Sequence, residues 1–293
     1  MKSNTHLSEQ ISLVIIARNR AQSLERSLQH LTSLREPVPI IVVDNNSEDD
    51  TVQIVRKQYP TVELIQLAKN YGPVGRNIGV EHAKTPYVAF ADDDSWWEDG
   101  ALKAATALFE QYPELGLVQG KIVLHGKRLE PVCQLMDESP LTTPHDFPGK
   151  YILGFVACGA MVRKDAFLSV GGFHHQFGVG GEEELIALDM AEKGWVLAYF
   201  KEILAFHYPS PIRDITRRKQ MAVRNHLWSV WLRRSLSSIG SETTPLLKKA
   251  VTDRDVRKGV IEACAGLPWV LKERKPLSSE LEQEVLKLSR FHP

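Results

Sequence analysis

Four short apolar runs, separated by helical patterns, fill the first 95 residues of the chain, and three of them end abruptly in polar or charged side chains. The first, residues 11–16, runs into Ala17-Arg18-Asn19-Arg20, and the second, residues 40–43, into Asp44-Asn45-Asn46-Ser47. The third covers residues 62–65, and the fourth, residues 87–90, leads through Ala91 to Asp92-Asp93-Asp94. Nearly unbroken apolar runs are what strands covered on both faces require. Between them, Leu24, Leu28 and Leu31 share one helical face. Ser47 with Asp50 has capping-box spacing and predicts the next helix start, with Val52, Ile54 and Val55 on its inner side. Strand and helix in alternation predict a mostly parallel α/β sheet flanked by helices. Right-handed crossovers then bring the strands' carboxyl ends to one rim, where ligands of such sheets gather.

Three adjacent aspartates on that rim repel one another, so they need either full solvation or a neutralising cation. An all-oxygen cluster suits Mg²⁺ or Mn²⁺ better than zinc. Taken alone, a solvated acidic turn is an equal alternative.

Composition narrows the class. Lysine and arginine balance aspartate and glutamate at 36 each, so net charge points to no nucleic-acid partner. Cys133, Cys158 and Cys264 are few, far apart and without metal-ligand spacing, as expected in a reducing compartment. The polar stretch 1–10 lacks the apolar core of a signal peptide, and no run approaches the roughly 18 apolar residues of a membrane span. A cytoplasmic protein is expected, with peripheral contact at the inner membrane face as one option.

Further along, Leu102, Ala105, Leu108 and Phe109 predict another helix. Residues 126–150 read as loop, and 155–162 are small and apolar. Gly171-Gly172-Phe173 turns the chain toward Gly180-Gly181-Glu182-Glu183-Glu184, which opens a helix that Gly194 stops. Residues 195–200 read as a strand, followed by His207. From Arg213 the chain becomes rich in Arg, Trp and Leu, with seven basic residues against Asp214 alone up to Arg234. Val223, Leu227, Val230 and Trp231 share one face, and the last 40 residues predict two or three short helices interrupted at Pro268 and Pro276. Trp228 and Trp231 beside Arg233-Arg234 suit an interfacial membrane helix, although packing of the tryptophans on a core is the commoner outcome.

Taken together, these stretches resemble the family 2 glycosyltransferases of the GT-A fold, an inverting group that uses nucleotide-activated sugars. Residues 14–20 are similar to the family's first strand and loop, and residues 42–47 to its nucleoside-binding stretch. Asp92-Asp93-Asp94 is similar to the DXD motif, and Gly171-Gly172-Phe173 followed by Gly181-Glu182-Glu183 to the acceptor loop and acidic catalytic pair. The resemblance spans residues 11 to about 212. It implies a Rossmann-like GT-A domain over 1–212, with a nucleotide-binding half at about 8–120 and an acceptor-binding half at about 121–212. Residues 213–293 are expected to form a helical C-terminal extension.

The resemblance also assigns roles. A UDP- or dTDP-sugar is the expected donor, with Mg²⁺ or Mn²⁺ on its diphosphate. Asp92 stands near the ribose and within reach of the ion, Asp94 on the ion, and Asp93 beside them with less expected of it. Ala17, Arg18, Asp44 and Arg76 are the other expected nucleotide-binding residues. Asp44 suits the N3–H of uracil or thymine, with capping of the next helix as the alternative. Arg76, at a helix start behind a glycine-rich loop, suits phosphate, with simple solvation as its alternative. Inversion by direct displacement needs one carboxylate to take the acceptor's proton, and Glu183 of the Glu182-Glu183 pair is expected to do so. Glu184 leaves that register open by one residue, and aspartate is commoner than glutamate at the second position of the pair. His207 resembles the family's late histidine, on the metal or the diphosphate. His174-His175 stand where many relatives carry Asp-Glu, and two solvated histidines are the expectation there. The basic stretch with Arg213, Arg217, Arg218 and Arg224 suits phosphate or anionic lipid. The resemblance implies a saccharide, a lipid-linked glycan or a small molecule as acceptor.

Competing classes fare less well. A sugar-nucleotide-forming nucleotidyltransferase needs a glycine-rich loop after the first strand, and residues 17–20 contain no glycine. A dinucleotide-dependent dehydrogenase lacks its G-x-G-x-x-G there. An inactive sugar- or nucleotide-binding relative predicts loss of an acid, yet every expected carboxylate is present.

Overall fold

All four apolar runs are strands in the computed structural model, which describes residues 6–143, 147–209 and 215–291. Strands β1 (Ile11–Ala17), β2 (Ile40–Asp44), β3 (Glu63–Gln66) and β4 (Tyr87–Asp92) are parallel neighbours in the order β3-β2-β1-β4. The chain steps outward from β1 to β3, then returns to lay β4 on the other side of β1. That reversal opens a crevice between the ends of β1 and β4. There Ile16 is in register with Asp92, and Ala17 with Asp44 on the neighbouring strand.

The sheet continues through β5 (Ser95–Trp97), β6 (Leu115–Leu124), β7 (Arg128–Leu129), β8 (Lys150–Tyr151), β9 (Ala160–Arg163) and β10 (Val196–His207). Its order is β3-β2-β1-β4-β9-β6-β10-β5, with β7 on β6 and β8 on β10. β9 runs antiparallel between β4 and β6, so β6 and β10 point the same way as β4. The carboxyl end of β10 therefore reaches the rim already occupied by β1, β2 and β4, bringing His207 beside Ser95.

Three local expectations change. The helix after β2 is Thr51–Gln58, starting later than Ser47 suggests. Asp49 Oδ1 accepts from Thr51 N at 3.0 Å, while Ser47 Oγ accepts from Asn19 N at 2.9 Å and so ties two rim loops together. Residues 126–150 are not all loop, because the helix Pro131–Asp137 buries Cys133 and Met136. The strand predicted over 195–200 runs on to His207, through a bulge between Phe200 and Leu204 where Lys201 and Glu202 face solvent. Those two exposed charges break the apolar run, which is why the strand looks shorter in the sequence.

The helix Gly75–His82 lies directly on β1 and β2. A Cβ at Gly79 would collide with Val14 Cγ1 and stand 3.2 Å from Val43 Cγ2, both fully buried. Helix propensity favours alanine over glycine by about 1 kcal/mol, but overpacking a closed core costs about 1–3 kcal/mol. Gly79→Ala is accordingly expected to lower the melting temperature by several degrees, measurable by calorimetry. An unchanged or raised melting temperature would mean that the helix can lift from the sheet at no cost.

Beyond the sheet, helices Ile215–Arg233, Leu236–Thr252, Arg254–Ala265, Leu267–Glu273 and Ser279–Phe291 follow one another. Three of them lie in the last 40 residues, and Pro268 starts one of these rather than breaking it. Trp228 and Trp231 point into an apolar cluster that also takes Phe177 and Leu185. Their indole N–H groups donate to Ala263 O and Thr243 Oγ1, each at 3.0 Å. Arg233 pairs with Asp189 and Arg234 with Glu282. The two rings thus pack on the core, the commoner of the two outcomes: burying them gains more than leaving them at the surface. The boundary placed at 212/213, and Arg213 with it, lies outside the described residues. Among the described residues no helix is long and apolar enough to cross a membrane.

Candidate active site

The ends of β1, β2 and β4 supply one wall of an open cavity of about 340 Å³. Ala17 and Arg18 line it from β1, Asn45 from β2 and Asp92, Asp93 and Asp94 from β4. Arg76 and Gly72 line it from the glycine-rich segment, and Arg217, Arg218 and Met221 from the first C-terminal helix. Asp44, Glu182, Glu183 and His207 stand outside that lining.

Asp44 is buried at 1% exposure. Its Oδ2 accepts from Ser47 N at 3.1 Å, closing a turn rather than capping a helix, and its Oδ1 has no hydrogen-bond partner. A buried carboxylate oxygen without a donor is costly unless something supplies one. Beside it, Asn45 Oδ1 accepts from Tyr71 N at 3.0 Å and its Nδ2 donates to Gly72 O at 3.1 Å. This stitches the loop before Arg76 to the end of β2. The sequence reading gave Asn45 no role, because an asparagine after a strand is unremarkable until its partners are in place.

Arg76 is buried, not solvated. Its Nη2 is hydrogen-bonded to Asp92 Oδ1, and its guanidinium lies 5.3 Å from the centre of the Phe173 ring. Burial works against its charge, but Asp92, Glu182 and Glu183 together hold its pKa above the usual value. Nε and Nη1 have no hydrogen-bond partner. Arg76 thus joins the strand-end acids to the acidic pair from the far half of the chain.

Asp94 pairs with His207 Nε2 at 3.2 Å, and Asp93 with Arg20 Nε at 3.9 Å. The turn is closed by Ser95, whose Oγ accepts from Asp92 N at 2.7 Å. Donor atoms of Asp92, Cys158 and His207 lie within 4.8 Å of one another. That group offers one carboxylate and one imidazole, and Asp94 adjoins it through His207; oxygen and imidazole donors of this kind suit Mn²⁺, and Mg²⁺ less closely. Cys158 suits such a cation poorly, because thiolate is a soft ligand, and burial first and then Asp92 and Asp94 push its thiol pKa well up.

Glu182 and Glu183 open the helix Glu183–Glu192. Glu182 is almost fully buried and accepts from Gly180 N. Glu183 is half-buried, and its Oε1 accepts from Ala157 N at 3.5 Å. Burial, reinforced by the Glu182 carboxylate, raises Glu183 to about 8, and burial raises Glu182 as well. Glu184 is engaged elsewhere: its Oε2 lies 3.2 Å from His226 Nδ1, whose Nε2 faces Glu242 at 3.8 Å. Burial opposes the charge on His226, but the two carboxylates override it and lift the pKa to about 10. His174 is not a solvated loop residue either, since it stacks on Trp269 and bonds to Glu273 at 3.0 Å. Arg217 and Arg224 both pair with Glu262, and of the described residues of the basic stretch Arg217 and Arg218 line the cavity wall.

Residues 12–171, more than half of the chain, match the family described as Glycosyl transferase family 2. N-acetylglucosaminyl-diphospho-decaprenol L-rhamnosyltransferase of Mycobacterium tuberculosis is 23% identical over 239 residues, covering 69% of this chain and 77% of the relative. Residues 1–349 of S. aureus TarS in complex with UDP superpose with a TM-score of 0.58 at 16% identity, covering 95% of this chain and 91% of that one. Another TarS structure from S. aureus is longer, and the present chain spans 39% of it. The mannosyltransferase PcManGT of Pyrobaculum calidifontis, in complex with GDP-Man and Mn²⁺, gives 0.58 at 15% identity over 98% of this chain and 90% of its own. The structural likenesses carry the fold, a mixed α/β sheet of GT-A type with a helical C-terminal region. Together with the match over residues 12–171, they place this chain in glycosyl transferase family 2 and make it a glycosyltransferase.

Proposed function

We propose that the enzyme transfers a sugar with inversion from a UDP- or dTDP-sugar to a hydroxyl of a lipid-linked or polysaccharide acceptor. One observation carries this reading: Arg76, buried and paired with Asp92 at the end of β4, lies where the charges of Glu182 and Glu183 from the opposite half also favour its own. Donor diphosphate and acceptor base would then meet across a single guanidinium. Asp44 Oδ1, buried without a donor, is suited to accept from the ring N–H of uracil or thymine. Asp92, Asp94 and His207 would hold Mn²⁺ or Mg²⁺, which supplies charge neutralisation for the departing nucleoside diphosphate. Glu183 takes the proton from the acceptor hydroxyl as its oxygen attacks the anomeric carbon. Glu182 keeps that carboxylate basic by like-charge repulsion. Ala17 and Arg18 line the side where the nucleoside lies, with Asp93 held by Arg20. The acceptor class follows the mycobacterial relative, whose name specifies a diphospho-decaprenol substrate.

A panel of UDP-, dTDP- and GDP-sugars with Mn²⁺ in a thermal-shift assay tests the donor. A ligand at a hundred times its Kd stabilises the native state by about 2.7 kcal/mol. The largest shifts are expected from uracil and thymine nucleotides. A response to GDP-sugars alone would remove the role given to Asp44.

A further inference from the structure

The loop that delivers Glu182 and Glu183 is pinned at both ends by side-chain amides that no sequence pattern singles out. At its start, Asn77 Oδ1 accepts from Phe173 N at 2.8 Å and its Nδ2 donates to Phe173 O at 2.9 Å. Gly172 is seated so closely that a Cβ there would stand 2.5 Å from Asn77 Oδ1. Near its end, Asn225 is fully buried in the helix Ile215–Arg233. Its Nδ2 donates to Gly178 O at 2.8 Å and to Gly180 O at 2.9 Å. Its Oδ1 accepts from Arg224 Nε at 3.1 Å and Nη2 at 3.0 Å, so every polar atom of the amide is used. A Cβ added at Gly178 would stand 2.9 Å from Met221 Sδ and 3.3 Å from Arg224 Nη2, both on the same helix. Gly180 N in turn bonds the Glu182 carboxylate. The loop's own backbone is permissive, with φ of +118° at Gly180 and +79° at Gly181. Such a segment holds one shape only if something outside it fixes its carbonyls.

We infer that Asn225, with Asn77 opposite, is a positioning residue for the acidic pair. The first C-terminal helix is then part of the catalytic apparatus and not an appended module. Asn77 neighbours Arg76 in the chain, so one clamp end moves with the diphosphate side and the other with the C-terminal helices. The inference rests on the reading of Glu183 as the base. Displacing a reacting group by about 1 Å can cost a hundredfold in rate.

Asn225→Asp keeps the shape of the side chain but sets an oxygen against two carbonyls. Release of nucleoside diphosphate from the most strongly stabilising donor of the panel reports turnover. We expect kcat to fall by about a hundredfold, with the donor KM and the affinity for UDP with Mn²⁺ unchanged. The pH at which kcat/KM reaches half its plateau should also move. Asn77→Asp, which loses the donor to Phe173 O, should act in the same direction. Ser229→Ala, on the same helix one turn on and equally buried, is the control and should keep kcat. Loss of kcat, UDP affinity and melting temperature in parallel, or failure of both asparagine variants to fold while Ser229→Ala folds, assigns them to stability alone and overturns the inference. Full turnover in Glu183→Gln overturns the base and the clamp's purpose with it. An inactive Glu183→Gln beside a fully active Asn225→Asp overturns the clamp alone.

Discussion

Glu183→Gln should lower turnover by about 10²–10⁴-fold, the range that a general base contributes, while leaving UDP affinity intact. The amide keeps the carboxylate's shape but cannot take a proton from the acceptor. Burial and the neighbouring Glu182 carboxylate raise the Glu183 pKa to about 8, so the fraction able to act as base grows as pH rises toward that value. The wild-type kcat/KM should therefore climb about tenfold per pH unit below 8 and level off above it. Stability should run the other way. The folded state retains a proton that the unfolded chain releases near 4.5, so stability is fully present below 4.5 and lost as pH rises through about 8. Glu183→Gln removes that buried charge. The variant should melt higher than wild type at pH 9 and level with it at pH 4, by about 2–4 °C for each kcal/mol relieved. Activity lost together with stability at pH 9 would mark Glu183 as a packing residue. Activity retained would pass the role to Glu182, since Glu184 is committed to His226.

The second large effect concerns the strand-end acids. Asp94→Asn should abolish most Mn²⁺ binding, read by isothermal titration or by the Mn²⁺ paramagnetic signal with UDP present. Turnover should fall by about a hundredfold or more, in keeping with the several kcal/mol of charge stabilisation a cation supplies at a leaving phosphate. EDTA should do the same to the wild type, and added Mn²⁺ should restore it. Asp93→Asn should do much less, because Asp93 is held toward Arg20 while Asp94 faces His207. Unaltered Mn²⁺ affinity in Asp94→Asn would leave neutralisation to Arg76 and the other arginines of the cavity.

Both predictions depend on features of different legibility. The strand ends can be read in the chain because an apolar run that stops at Ala17, Asp44 or Asp92 states where the sheet ends. Parallel crossovers then make these ends neighbours whatever the details of packing. His207 is less legible, since exposed Lys201 and Glu202 interrupt the strand that carries it. The choice among Glu182, Glu183 and Glu184 is legible only through the family register, which leaves it open by one residue. Three consecutive glutamates differ only in their partners, and Gly180, Ala157 and His226 are separated from them by between two and more than forty positions. The tryptophans are ambiguous for a related reason, although core packing, the commoner outcome, is what the structure has. An amphipathic helix with Trp at its edge has the same pattern whether its apolar side meets lipid or Ala263.

The sequence by itself determined the alternating α/β sheet, the shared rim and the identity of the rim acids, because strand burial and crossover handedness are local and topological facts. Tertiary structure alone decided that Arg76 is buried beside Asp92 in the field of Glu182 and Glu183, that burial and Glu182 raise the Glu183 pKa, and that Asn225 holds the loop before them. Charge, burial and hydrogen bonding at these positions come from residues far apart in the chain. No local pattern encodes a field that exists only once the two halves have closed on each other.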